Sequence, residues 1–255
     1  MRFQFSFGAG TALALAAWLA ASGLAASAAD APAKPGPILI PPLAQDINGV
    51  WWADSYNPRI RPVDGSDLPF TPTAKSTYQK TMAGLKDGSV TDFARTRCVP
   101  DGVPRILATP YPFEIFQTPG QVTITYEQNH MVRIITMDQK MPSEDDLAIL
   151  PYYGGDSYGH WDGDSLIVET AGFNEKTFID DTGVPHGDQL RTSERIRKID
   201  GGKALEDVVT VSDPKTFTKP WTARFVYKPH PEIRLTDYVC GEKHRDLSSV
   251  KGAPQ

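Results

Sequence analysis

Among its 255 residues the chain has only two cysteines, and it lacks the signatures of several large enzyme classes. No G-x-G-x-x-G follows a strand-like run and no G-x-x-x-x-G-K-[ST] is present, so nucleotide cofactors find no phosphate cradle. There is no G-x-S-x-G elbow, which argues against a serine nucleophile of the α/β-hydrolase kind. The histidines (His130, His160, His186, His230 and His244) are scattered, without H-x-H, H-E-x-x-H or paired-cysteine spacing. The acidic loop around Asp180 does not keep an EF-hand register. Neither a metal nor a cofactor is expected. After the first 28 residues no run is long and apolar enough to cross a bilayer, and no repeat of 20–50 residues is visible.

What is present begins with a processing signal. Arg2 supplies a positive start, 12–25 an apolar core, and "ASA" (26–28) small residues suited to cleavage after Ala28. Residues 1–28 are therefore expected to be a signal peptide and the mature chain to be periplasmic or secreted. Residues 29–45, rich in Pro and Ala, read as an extended tether, 46–246 as one β-barrel domain, and 247–255 as a flexible tail. Loss of Arg2 moves the formal net charge from −5 to −6. A mildly acidic exported protein is a poor partner for nucleic acid, and without its signal it is not expected to enter a membrane. In an oxidising compartment Cys98 and Cys240 read as a disulfide, with two free thiols as the alternative.

Apolar and polar residues alternate along most of the chain, the period of a half-buried strand. Strands are expected at 49–54, 113–118, 121–128, 131–138, 164–171, 190–199, 204–212, 221–228 and 233–240, with turns at "PG", "NH" and "DG". This spacing predicts an all-β, antiparallel barrel of lipocalin-like (calycin) type, with long loops. One helix is expected at 72–86, capped by Thr71 and ended by "DG" (87–88), and a short turn of helix after Pro142. "NGVWW" (48–52) carries a G-x-W, and its tryptophan would be covered by Arg234 of a final strand, as in the lipocalin pattern.

Polar residues on the inner face of such a barrel must be satisfied or serve a ligand. Glu127 and Arg133 face each other across a hairpin and form a candidate pair, with a surface ion pair as the plainer reading. Asp237, on a face with Ile233, Leu235 and Val239, would need a buried cation or a raised pKa. The aspartates of "DGD" (162–164) read as turn chemistry beside His160. The long irregular segment 170–190 holds Asn174, Lys176, Asp180, Asp181 and His186, and loops of that length are often functional. His186 is the candidate acid–base group.

Several phrases carry a resemblance: "RCVPDGVPR" (97–105), "PYPFEIFQTPGQVTITYE" (110–127), "GHWDGDSLIVETAGFNEKTFID" (159–180), "GVPHGDQLRTSERIR" (183–197), "DPKTFTKPW" (213–221) and "YVCGEKHRD" (238–246). With these the chain resembles a family of exported, lipocalin-like bacterial proteins of mostly unassigned role. It is also similar, more weakly, to cofactor-independent phenylcoumaran γ-formaldehyde lyases. "DQKMP" (138–142) departs from the D-G-R-x-H-P of that pattern. The resemblance implies opening of a dihydrofuran ring in a lignin-derived aromatic dimer and loss of its γ-carbinol as formaldehyde, leaving a stilbene. On residue chemistry, Glu127 or His186 would be the base and Arg133 would hold the phenolate. Tyr111, Tyr126, Tyr152 and Trp161 would wall the rings, with Asn129 and Asn174 as polar contacts. The alternative is a periplasmic binder of a small aromatic or apolar molecule, with the same barrel and no reactive pair.

Overall fold

The structure, a computed structural model, describes residues 45–240. The expected signal peptide, nearly all of the tether, the end of the barrel domain and the tail lie outside the described residues. Within them nine strands close into one barrel in chain order. These are β1 (Gly49–Trp52), β2 (Phe113–Thr118), β3 (Gln121–Tyr126), β4 (Val132–Met137), β5 (Asp156–Asp162), β6 (Ser165–Ala171), β7 (Arg191–Ile199), β8 (Ala204–Ser212) and β9 (Trp221–Pro229). Eight of the nine neighbouring pairs are antiparallel. β4 and β5 run parallel, through Ile135↔Ser157 and Met137↔Gly159. The protein is thus the all-β, lipocalin-like barrel that its periodicity predicts, with one parallel seam.

Two strands differ from expectation. The segment 233–240 is not a strand, because β9 ends at Pro229, a second proline follows at 231, and β1 already closes the barrel on β9. Arg234 is consequently exposed and does not cover Trp51, whose indole donates to the Ile47 carbonyl (2.9 Å). Asp237 is exposed as well, so it needs no buried partner. The ninth strand is β5, "DSYGHWD", hidden from a pattern reading by a glycine at its centre. That glycine is required there: a Cβ on Gly159 would stand 2.9 Å from Ile135 Cγ2 and 3.0 Å from the Ile167 carbonyl.

The helices follow their caps. α1 (Pro72–Asp87) begins where Thr71 accepts from the Ala74 amide (3.2 Å) and ends at Gly88 in the left-handed region, which favours glycine. α2 (Phe93–Thr96) is capped by Asp92, and α3 (Glu144–Ile149) by Ser143 in the crossover to β5. A 3₁₀ turn, Arg105–Ala108, lies over one end of the barrel: the Tyr227 hydroxyl on β9 donates to its Leu107 carbonyl at 2.8 Å. Arg105 is buried among Asp92, Asp101 and Asp181, which ties this turn to α2 and to the long loop before β7. Cys98 and Cys240 form the expected disulfide, with Cα atoms 5.7 Å apart across 142 positions of sequence.

Candidate functional site

The inward residues of β3 and β4 are Val122, Ile124, Tyr126, Arg133, Ile135 and Met137, all buried. Facing them from β7 and β8 are Thr192, Glu194, Ile196, Leu205, Asp207, Val209 and Val211. The interior is therefore apolar except for a belt of polar groups at mid-height. Arg133 lies at its centre. The guanidinium donates from Nη1 to Glu194 Oε1 (2.8 Å), from Nη2 to Glu194 Oε2 and Thr170 Oγ1 (2.9 Å), and from Nε to Ser157 Oγ (3.1 Å). A bidentate pair of this kind is the geometry in which a guanidinium best compensates a buried carboxylate.

Beside it, Asp207 has no cation of its own. Burial first, then the neighbouring Glu194 charge and a hydrogen bond to that carboxylate, push the Asp207 carboxyl well above the usual carboxylate range, with Arg133 opposing. Asp207 Oδ1 has no hydrogen-bond partner among the described residues. Burial and the nearby carboxylates likewise push the Tyr126 and Tyr227 phenols up. A cavity of about 10 Å³ lies between these groups, lined by Tyr126, Glu194, Asp207, Tyr227 and apolar neighbours. That is about the space of one water. The barrel centre thus holds a buried carboxyl whose acid form is favoured, beside a second carboxyl clamped by Arg133.

Of the candidates read from sequence, Arg133 and Tyr126 lie here and the others do not. Glu127 and Arg133 do not pair, since Glu127 Oε2 accepts from the Thr236 amide (2.9 Å) and hydroxyl (3.2 Å) outside the barrel. Arg133 points inward because it shares the face of Ile135 and Met137, and the pattern identifies that face as the buried one. His186 accepts at Nε2 from the Thr177 hydroxyl (3.3 Å) and donates from Nδ1 to its neighbour's carbonyl, Gly187 O (3.1 Å). It packs edge-on against Phe173, and burial holds its pKa down against the nearby charges of Asp213 and Glu175. The loop around it is pinned rather than free. Asp180 accepts from Thr182, Val184 and Ile60 amides, while Asp213 accepts from the Gly187 amide (2.6 Å).

A folded-state pKa below the unfolded value means that burial of neutral His186 contributes stability above about pH 6.5 and loses it as the pH falls below that value. His186→Gln is expected to flatten the decline in Tm between pH 7.5 and 5.0. Parallel melting curves check this, and an identical slope in the variant would contradict it.

The ring-binding candidates are dispersed. Tyr111 stacks edge-on against Tyr238 (5.0 Å), and Tyr126 lies in the core against Phe113 (5.4 Å). Asn129, in the left-handed region, clamps the Val99 carbonyl (3.1 Å) and Asp101 Oδ2 (3.0 Å). Trp161 is half-buried at the end of β5, and Tyr152 is half-exposed. Asn174 lines a shallow pocket of about 720 Å³ with Glu144, Glu175 and Asp188.

Glu194, Asp207 and Tyr227 were not picked out from sequence. Period two places Asp207 with Leu205, Val209 and Val211, and Glu194 with Thr192 and Ile196, so the signal is there. Among the described residues no group of three or more His, Cys, Asp or Glu side chains is arranged to hold a metal ion. No family model matches the chain, and no curated protein matches it.

A second pocket, of about 390 Å³, lies beside the short pairing that closes the barrel. β1 has only four residues and meets β9 at Trp52↔Lys228 and Trp51↔Pro229 alone. Along 223–227 the edge of β9 not paired with β8 faces the irregular segment after β1, and the pocket fills that seam. Leu107 and Tyr227 line both this pocket and the small interior cavity, so the lid turn and one phenol separate the two.

Proposed function

We propose that the chain is an exported, cofactor-independent acid–base lyase acting on a small aromatic molecule, of the kind that releases formaldehyde from a lignin-derived dimer. The observation that supports this reading best is the buried Asp207, whose acid form is favoured, held beside the Glu194 that Arg133 clamps. A site with one carboxyl as acid and one as base, beside a fixed cation, suits proton transfers without redox change. The resemblance carried by the long phrases of 97–246 points the same way.

The chemistry balances on such a group set. Loss of the substrate's phenolic proton to solvent lets the dihydrofuran C–O bond break, giving a quinone methide and a second phenolate. Removal of the γ-hydroxyl proton, with Glu194 as base, lets the Cβ–Cγ bond break. Its electron pair forms the alkene and restores the aromatic ring, while the γ-carbon leaves as formaldehyde. Asp207 returns a proton to the second phenolate, whose charge Arg133 offsets, solvent returns one to the first, and proton transfer from Glu194 to Asp207 restores both carboxyls. Substrate and products differ by no oxidant or reductant. With an interior of about 10 Å³, this reading puts the rings in the seam pocket and requires Tyr227 and the Leu107 side chain to move aside for reaction.

The test is incubation of the mature protein, without added cofactor or metal, with a panel of lignin-derived aromatic dimers. Release of formaldehyde and a mass loss of one CH2O are expected, and Glu194→Gln or Asp207→Asn lowers the rate by roughly 10²- to 10⁴-fold. Glu127→Ala keeps its activity. The filled interior also favours a second reading, a binder that holds an aromatic molecule in the seam without converting it. Saturable binding with every dimer unchanged would select that reading and remove the lyase.

A further inference from the structure

The seam pocket carries a charge pattern that the proposed acid–base chemistry does not use. Three guanidinium-bearing residues, Arg59, Arg61 and Arg224, line it, and no carboxylate does. Arg224 is already engaged, with Nε 2.6 Å from Glu206 Oε1. Arg59 and Arg61 are exposed, and among the described residues neither lies within ion-pair distance of a carboxylate. In a chain with a net charge of −5, two arginines without a counter-charge in one concave site mark a place for an anion. The lining also includes apolar groups, Leu107 and the half-buried ring of Phe225, which stacks on Tyr227 at 6.5 Å between centroids and 16° between planes. Its volume, about 390 Å³, lies within the range of small-molecule sites.

We infer that the seam pocket between β9 and the segment after β1 binds an aromatic carboxylate, with the ring against Phe225 and Leu107 and the carboxylate on Arg59 and Arg61. A planar carboxylate accepts two parallel N–H bonds from a guanidinium, and the flat ring matches the aromatic part of the lining, Phe225 and Tyr227. The inference deepens the proposed function by naming the class of substrate that the entrance selects, and it rests on that reading for the step from binding to turnover. Binding itself is independent of it.

Calorimetric titration of the mature protein with ferulate and with methyl ferulate separates the two. Ferulate carries one ring and no γ-carbinol, so it reports the pocket and not the reaction. Binding of the acid at least tenfold tighter than the ester is expected at low ionic strength. In Arg59→Ala/Arg61→Ala that preference falls to about twofold or less, while Tm stays unchanged because both side chains are exposed. Equal affinity for acid and ester, no binding of either, or a preference that survives the double substitution would each overturn the inference. Competition by inorganic phosphate as effective as that by ferulate would also overturn it, since the ring would then contribute nothing. A turnover-negative protein that still prefers the acid would refute the lyase and leave this site standing.

Discussion

Glu194→Gln is expected to lower the stability of the mature protein by about 3–5 kcal/mol, the loss that follows when one member of a buried ion pair is removed. Arg133 is 3 % exposed and Glu194 1 %, so no solvent reaches the cation once its counter-charge is gone. The amide keeps the volume and can accept one hydrogen bond, but it cannot offset the charge. Lys228→Ala provides the contrast. Its ion pair with Asp54 is more than half exposed on both sides, and exposed pairs contribute less than about 1 kcal/mol. Urea unfolding of the three proteins at pH 7 checks the ranking. A Glu194→Gln loss no larger than that of Lys228→Ala would mean that the interior belt is hydrated and not a sealed network. Replacing both partners, Arg133→Met with Glu194→Met, is expected to recover most of the stability, because a matched apolar pair leaves no unpaired charge.

The second large effect belongs to the disulfide. Cys98→Ser/Cys240→Ser is expected to cost as much as about 5 kcal/mol, an upper figure from the chain entropy of a 142-residue separation. The bridge also holds down a segment that has no sheet to join. Residues 233–240 touch the barrel mainly through Glu127 to Thr236, His130 to the Tyr238 amide, and the Tyr111–Tyr238 ring contact. Reduction therefore releases this segment first, and hydrogen exchange should show the Thr236 and Tyr238 amides losing protection before those of β3 and β4. Unfolding curves in the presence and absence of reductant measure the cost. Coincident curves would place the stability of the domain in the barrel alone.

The strand alternation carried most of the fold. Val122, Ile124 and Tyr126 face inward as their period requires, and seven of the expected strands match within a few residues besides the short β1. The failures have local causes. β5 reads as a turn because Gly159 and His160 break its apolar period, yet the close approach of Ile135 makes glycine necessary there. The segment 233–240 alternates like a strand, but the barrel has no open edge left for it. The site was less legible. A carboxylate on an apolar strand face is the right signal, and it selects Asp237 on a strand that does not form. Applied to β8 it selects Asp207, which is buried. Arg133 was recognised as a candidate, but its partner is Glu194, 61 positions away on a strand across the barrel, and no local spacing reveals that. His186 stands in a loop fixed by Asp180 and Asp213, so what looks like a free acid–base group in sequence is a neutral packing residue.

The arrangement depends on Asp207 keeping its proton at neutral pH beside the Glu194 that Arg133 clamps. Isotope-edited infrared difference spectra of wild type and Asp207→Asn at pH 7 test this directly. The wild type is predicted to show a carboxylic-acid carbonyl band that the variant lacks. Loss of a carboxylate band instead would mean that Asp207 is ionised, and would contradict the acid–base assignment.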